Sequence, residues 1–194
     1  RPPLPADLPS CDGPPMSDPG RPIAIGDIHG CATALDHLLR QVRLTARDHL
    51  IVLGDVVDRG PDSCGVVEQL LRLDERYRLT CLLGNHEQML LEAIDGLMPR
   101  QQWLGFGGSQ TLDSYRDGAG TNAIPTEHIE FIRNWGDYYE NESHFFAHGN
   151  YRPDLDLTDQ PWGELRWISL SAYTPPTHRS GKTAVVGHTS NKQG

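Results

Sequence analysis

The sequence predicts an α/β fold built on a parallel sheet, and three observations carry that expectation. Short apolar runs at residues 23–25, 50–53 and 79–83 are bounded by turn residues, as buried strands are. Amphipathic stretches separate these runs, so strand, helix and strand alternate and the parallel crossover unit repeats. Each run ends in glycine followed closely by Asp, Asn or His, which lines polar side chains along one edge of a sheet. Open α/β folds collect their binding groups at such an edge.

Residues 1–20 contain Pro2, Pro3, Pro5, Pro9, Pro14, Pro15 and Pro19, so a flexible arm is expected there and one domain over 21–194. After the first strand, Leu35, Leu38, Leu39 and Val42 fall at i, i+3, i+4 and i+7, the buried stripe of a helix. After the second, Val66, Val67, Leu70, Leu71 and Leu73 mark another helix, with Asp62 or Ser63 as N-cap behind Pro61. The third strand runs into strong helix formers from Glu87 to Ala93, with Asn85 placed to cap them. Glycines among Trp103, Phe106 and Tyr115 predict an irregular stretch over 96–125, the start of a cap region at about 96–140. A helix is expected from about 126 to 135, then an antiparallel hairpin at 138–146. Residues 150–181 read as loop around an apolar piece at 165–170, and 184–186 read as the last strand.

The balance of 17 Lys+Arg against 26 Asp+Glu gives a net charge of −9, which disfavours nucleic acid or an anionic membrane as partner. A small phosphate ligand remains compatible, because bound divalent ions reverse the local field of a carboxylate-rich site. No apolar stretch is long enough to span a bilayer and no signal-peptide core is visible, so the cytoplasm is the expected location. Cys11, Cys31, Cys64 and Cys81 show neither CxxC pairing nor zinc-finger spacing, and no disulfide framework is implied.

Five strand ends carry the chemistry. They read Gly26-Asp27-Ile28-His29-Gly30, Gly54-Asp55-Val56-Val57-Asp58-Arg59-Gly60, Gly84-Asn85-His86-Glu87, His148-Gly149 and Gly187-His188. Each is weak alone, but five such coincidences at successive strand ends form a pattern. Asp27, Asp55, Asn85, His29, His148 and His188 make a mixed oxygen and nitrogen donor set without cysteine. That set suits Mn²⁺, Fe, Zn²⁺ or Ni²⁺, with Mn²⁺ the first expectation, and is too rich in nitrogen for Ca²⁺ or Mg²⁺ alone. Six donors suit two ions sharing a bridging carboxylate, the arrangement that activates water and clamps a phosphoryl group. Hydrolysis of a phosphate ester follows as the reaction class. Arg59 can fork onto phosphate oxygens, His86 can protonate a leaving alkoxide, and Asp58 can fix the His86 tautomer.

These motifs resemble, in order and spacing, those of the phosphoprotein phosphatases within the calcineurin-like metallophosphoesterases, over about residues 22–189. The resemblance implies two packed central sheets flanked by helices, a four-layer sandwich. It implies that Asp27, His29 and Asp55 hold one ion and that Asp55, Asn85, His148 and His188 hold the other. It further implies an Asp58–His86 acid pair and Arg59 on the phosphate. Many family members have a second glycine where this chain has Asn150-Tyr151. Arg166 and Arg179 are candidates for the family's second phosphate-binding arginine, with Arg166 put forward as substrate-binding. Family chains continue past the last histidine with another core strand, so more sequence is expected beyond Gly194.

The leading expectation is a protein serine/threonine or broad phosphomonoester phosphatase, acting on a phosphoprotein or a small phosphomonoester. The first rival is a symmetrical dinucleoside tetraphosphate hydrolase, which the chain also resembles through residues 26–31 and Gly60-Pro61-Asp62-Ser63. Such hydrolases tend to carry aspartate where Glu87 stands, which favours the phosphatase. A non-catalytic phosphate- or metal-binding module would show loss of a ligand, of His86 or of Arg59, and none is lost.

Overall fold

Two three-stranded sheets lie face to face. The computed structural model describes residues 20–116 and 123–190; the expected arm over 1–20, apart from Gly20, together with Cys11 and residues 191–194, lies outside them. Strands β1 (Pro22–Ile25), β2 (His49–Val52) and β3 (Arg78–Cys81) pair in parallel in that order. Helices α1 (Ala32–Val42) and α2 (Ser63–Asp74) form the crossovers between them. In the second sheet β5 (His144–Ala147) is central, antiparallel to β4 (Tyr138–Glu140) and parallel to β6 (Thr183–Val186).

The unbroken apolar run of β2 follows from burial on both faces. Leu50 and Val52 point into a core with Leu35, Val66, Val67 and Leu70 of the helices. Ile51 and Leu53 point the other way, onto Leu82 and Phe146, with Tyr139 and Val185 beside them, and so join the two sheets. Each such side chain contributes about 1.5–3 kcal/mol by leaving water. On the far face of β5, Phe145 is covered by Tyr151 and Leu157. The fold is thus α/β with two sheets flanked by helices, as the sequence led us to expect.

Asp62 caps α2, accepting the Gly65 N–H at 2.8 Å. Helix α3 (Asn85–Ile94) corrects the other cap: Gly84 is the N-cap and Asn85 is already helical. The expected irregular stretch is corrected as well. Helix α4 (Arg100–Trp103), a widened turn over Leu104–Gly108 and helix α5 (Ser109–Ser114) follow one another, and only Gly107 leaves helical geometry, with φ 112°. Helix α4 packs on α3, and α5 packs on α2. Helix α6 (Thr126–Arg133) lies where a helix was expected, and α7 (Trp162–Trp167) occupies part of the predicted loop. Among the described residues no helix is long and apolar enough to cross a membrane.

Candidate metal centre

The loops leaving β1, β2, β3, β5 and β6 meet at one edge of the paired sheets, and their backbones are unusual. His29, Asp55, Asp58, Arg59 and His188 all have positive φ, between 44° and 69°. Non-glycine residues seldom adopt that region, which costs of order 1–3 kcal/mol per residue and clusters at working sites. The only other such residue described is Arg43, at the end of α1. Gly54, at φ 96°, lies so near Gly84 that a side chain there would come within 2.5 Å of the Gly84 nitrogen. Glycine at both strand ends lets the β2 and β3 loops touch.

Glu87 holds the contorted β2 loop from below. Its Oε2 accepts the N–H groups of Asp55 at 2.7 Å and Gly84 at 3.0 Å. Its Oε1 accepts those of Val56 at 2.8 Å and Val57 at 3.2 Å. Burial and the neighbouring Asp55 charge push the Glu87 carboxyl up to about 7, against the His148 charge and the N–H donors.

Two groups of possible ligands share Asp55: His29, Asp55 and His86 in one, and Asp55, His148 and His188 in the other. In the second, His148 Nδ1 lies 2.8 Å from the Leu53 carbonyl, so the proton sits there and Nε2 offers a lone pair. That Nε2 is 3.4 Å from Asp55 Oδ2, 3.2 Å from Asn85 Oδ1 and 3.1 Å from His188 Nδ1. Donor atoms about 2.1 Å from a common ion stand about 3.0–3.4 Å apart at right-angled to tetrahedral spacing, so this set fits one divalent cation. The charges agree. Burial lowers the His148 pKa, but the Asp55 hydrogen bond and charge, with Asp27 and Glu87, raise it overall, so the pocket draws positive charge to that nitrogen. Burial likewise opposes ionisation of Asp55, yet His148, His86 and the His86 N–H together hold it at about 2.

In the first group His29 Nδ1 lies 2.9 Å from the Val57 carbonyl, and Nε2 is 3.6 Å from Asp55 Oδ2. Burial, with the charges of His86 and Arg59, lowers the His29 pKa despite Asp55 and the Val57 bond, leaving a neutral ring suited to a ligand. Asp27 stands outside both groups, its Oδ1 accepting the His188 N–H at 2.9 Å.

Beside the ligands, the fully buried His86 turns Nδ1 to Asp58 Oδ2 at 2.8 Å. Its Nε2 is buried without a hydrogen-bond partner among the described residues. Arg59 is exposed and rests Nη1 on His29 Nε2 at 2.9 Å rather than on Asp58. Arg166 is engaged by Asp137 at 2.6 Å and Gln88 at 3.4 Å, a brace between α7, α3 and the start of β4. Arg179 pairs with Asp156. Asn150 is buried, and its Nδ2 donates to the Tyr173 carbonyl at 2.7 Å.

Three residues with no assigned role in the sequence reading belong to the site. Glu87 reads in the sequence as a helix former, whereas its carboxylate gathers four backbone N–H groups beneath the site. Trp103 Nε1 donates to Asp58 at 3.0–3.1 Å, and Thr111 Oγ1 donates to Asp58 Oδ1 at 2.7 Å. The one available signal was that a buried indole needs an acceptor for its N–H.

The calcineurin-like phosphoesterase family profile matches residues 20–192. A symmetrical bis(5'-nucleosyl)-tetraphosphatase from Janthinobacterium sp. (strain Marseille) is 30% identical over 149 residues, 76% of this chain and 47% of that protein. Serine/threonine-protein phosphatase 1 of Salmonella typhimurium is 47% identical over 70 residues, 36% of this chain and 31% of its own length. The chain therefore spans less than half the length of these curated relatives. A crystal structure of a candidate diadenosine tetraphosphatase superposes with a TM-score of 0.67 at 27% identity, covering 88% of this chain and 75% of that one.

Proposed function

Because the chain belongs to the calcineurin-like phosphoesterase family, we propose that it is a dinuclear metal-dependent phosphoesterase whose substrate is a symmetrical dinucleoside tetraphosphate. Asp55 supports the hydrolytic reading, as one buried carboxylate common to two ligand groups. The substrate reading rests on the Janthinobacterium relative, which aligns over most of this chain, and on the solved tetraphosphatase-like structure. It displaces the protein phosphatase expected from the sequence. The feature that favoured a phosphatase, Glu87 in place of aspartate, is fully buried with its oxygens committed to four backbone N–H groups. It cannot report on substrate. A phosphoprotein substrate is the second reading, favoured by the local identity to the Salmonella phosphatase.

In this reading Asp55, Asn85, His148 and His188 would hold one ion, with Mn²⁺ the first choice for the mixed donor set. His29 and Asp55 would hold the other, joined by Asp27 although it stands outside the close group and its Oδ1 accepts the His188 N–H. When bound, such ions supply Lewis-acid charge at the phosphoryl group and acidify an attacking water. The exposed Arg59 binds the phosphoryl oxygens, one of which would replace His29 Nε2 as the acceptor of Nη1. Asp58 grips His86 through Nδ1, leaving Nε2 as the nitrogen that gives a proton or hydrogen bond to the leaving oxygen. Symmetrical cleavage breaks the bridge between the two central phosphates, adds water across it and yields two nucleoside diphosphates.

The test is a side-by-side assay with Mn²⁺ of diadenosine tetraphosphate, a phosphoserine peptide and a small phosphomonoester, with products separated by anion exchange. Two nucleoside diphosphates, formed with kcat/KM at least tenfold above the other substrates, are expected. Preference for the phosphopeptide, or asymmetric products, would overturn the substrate reading.

A further inference from the structure

Asp58 is wholly buried and receives three side-chain donors at once: His86 Nδ1, Trp103 Nε1 and Thr111 Oγ1. The Thr111 hydroxyl also accepts the Asp58 N–H at 2.9 Å, while its own hydrogen goes to Oδ1 at 2.7 Å. Ser63 Oγ lies 3.0 Å from the same hydroxyl and 3.2 Å from the Asp58 nitrogen. A carboxylate free to turn about its Cβ–Cγ bond would present either oxygen to His86. Thr111 holds Oδ1, and the Trp103 N–H, shared between Oδ1 at 3.1 Å and Oδ2 at 3.0 Å, fixes the plane of the carboxylate, so Oδ2 stays turned to the imidazole. Trp103 belongs to α4 and Thr111 to α5, and the turn between these helices accepts the Arg59 N–H on the Gly107 carbonyl at 3.2 Å. One helix pair thus grips two adjacent residues of the site.

We propose that Trp103 and Thr111 are positioning residues for His86, acting through Asp58; the proposal rests on the reading of His86 as donor to the leaving oxygen. Partners at this remove from the reacting atoms typically change function 10–100-fold in metal sites. The expected loss for Trp103→Phe or Thr111→Val is about tenfold in kcat for alkyl phosphates, whose basic leaving oxygen needs the proton. Nitrophenyl phosphate should change less than about twofold, because its phenolate leaves with little help. KM and bound metal should not move, and Thr111→Ser, which keeps the hydroxyl, should behave as wild type.

The decisive comparison uses the metal-loaded protein with each change placed also in a His86→Asn background. There the second change should have no further effect on kcat. Additive losses, or equal losses for alkyl and aryl esters alongside a leaving-group-dependent loss in His86→Asn, would make Trp103 and Thr111 ordinary packing residues. Leaving-group independence of His86→Asn itself would instead overturn the donor role of His86. A readout without turnover separates the two cases. The downfield proton resonance of His86 Nδ1–H should shift in Trp103→Phe and Thr111→Val and stay in place in Thr111→Ser. An unmoved resonance overturns the proposal, whatever the protein hydrolyses. Should Trp103→Phe fail to fold by circular dichroism, the Thr111 pair carries the same comparison.

Discussion

Arg59 shows how a single side chain at this site can be separated from its neighbours. Its backbone is held by Gly107 and by a left-handed φ of 69°, while its exposed guanidinium has His29 as its hydrogen-bond partner among the described residues. Arg59→Ala should therefore raise KM about tenfold or more through lost bidentate contacts, and weaken inhibition by inorganic phosphate in parallel. Metal content, measured by atomic emission, should stay within error of wild type; loss of an ion would make Arg59 a structural partner of His29. The six candidate ligands were legible in the sequence because each stands one to three residues past a strand-ending glycine or alanine, a local signal. Trp103 and Thr111 were not, because they meet Asp58 across 45 and 53 residues with no periodicity between them. The roles of Arg59, His86 and Asp58 were inferred from chemistry, and the kinetic tests above decide them.

The elements around the site carry stresses that substitutions can expose. Glu87 sits in the first turn of α3 and looks in the sequence like an ordinary N-terminal acid, yet its carboxylate gathers the β2 loop. Glu87→Gln turns an NH₂ group toward at least one of those N–H donors, so it should destabilise the fold by about 2–4 kcal/mol in urea unfolding. An unchanged midpoint would show that the loop holds itself. Far from the site, Asp48 accepts from the Arg21 backbone and side chain and from Thr45 N, pinning the start of β1 to the start of β2. The Arg21 guanidinium, with the Thr45 and Arg21 N–H groups, holds the Asp48 carboxyl well below the usual carboxylate range, against burial. A depressed folded pKa gives stability that is present above the unfolded value of about 3.9 and is lost as pH falls below it. Asp48→Asn should thus cost about 1–3 kcal/mol at pH 7 and show a smaller drop than wild type between pH 5 and pH 3. Equal acid sensitivity of the two proteins would remove Asp48 from that role. Strands and crossover helices were readable because their periodicity is local. Helices α4 and α5 were missed because Gly105 and Gly108 keep helical backbones, each at about 1 kcal/mol relative to alanine, where packing on α2 and α3 outweighs propensity.

At the scale of the whole molecule, the second ligand group joins the two sheets. Asp55 and Asn85 follow β2 and β3, whereas His148 and His188 follow β5 and β6, so an ion bound among them bridges the same interface that Ile51 and Phe146 fill. Ion binding should therefore stabilise the fold as a unit, by about 2.7 kcal/mol at a free concentration one hundred times Kd. For a domain of this size that corresponds to roughly 5–10 °C in Tm, lost on chelation and restored by Mn²⁺. His188→Ala should lose most of this shift, and a Tm indifferent to chelator would disprove the bridge.

The hydrogen bond from His188 N–H to Asp27 Oδ1 spans 161 residues. On the ribosome, growing at ~5–20 residues per second, the chain exposes Asp27 about 8–32 s before its partner. The first three motifs are complete only once Glu87 is made, and from there to Ala147 the second ligand group still lacks both His148 and His188. A nascent chain paused there cannot yet close the second candidate ligand group, so whatever that group binds must wait for the last strand.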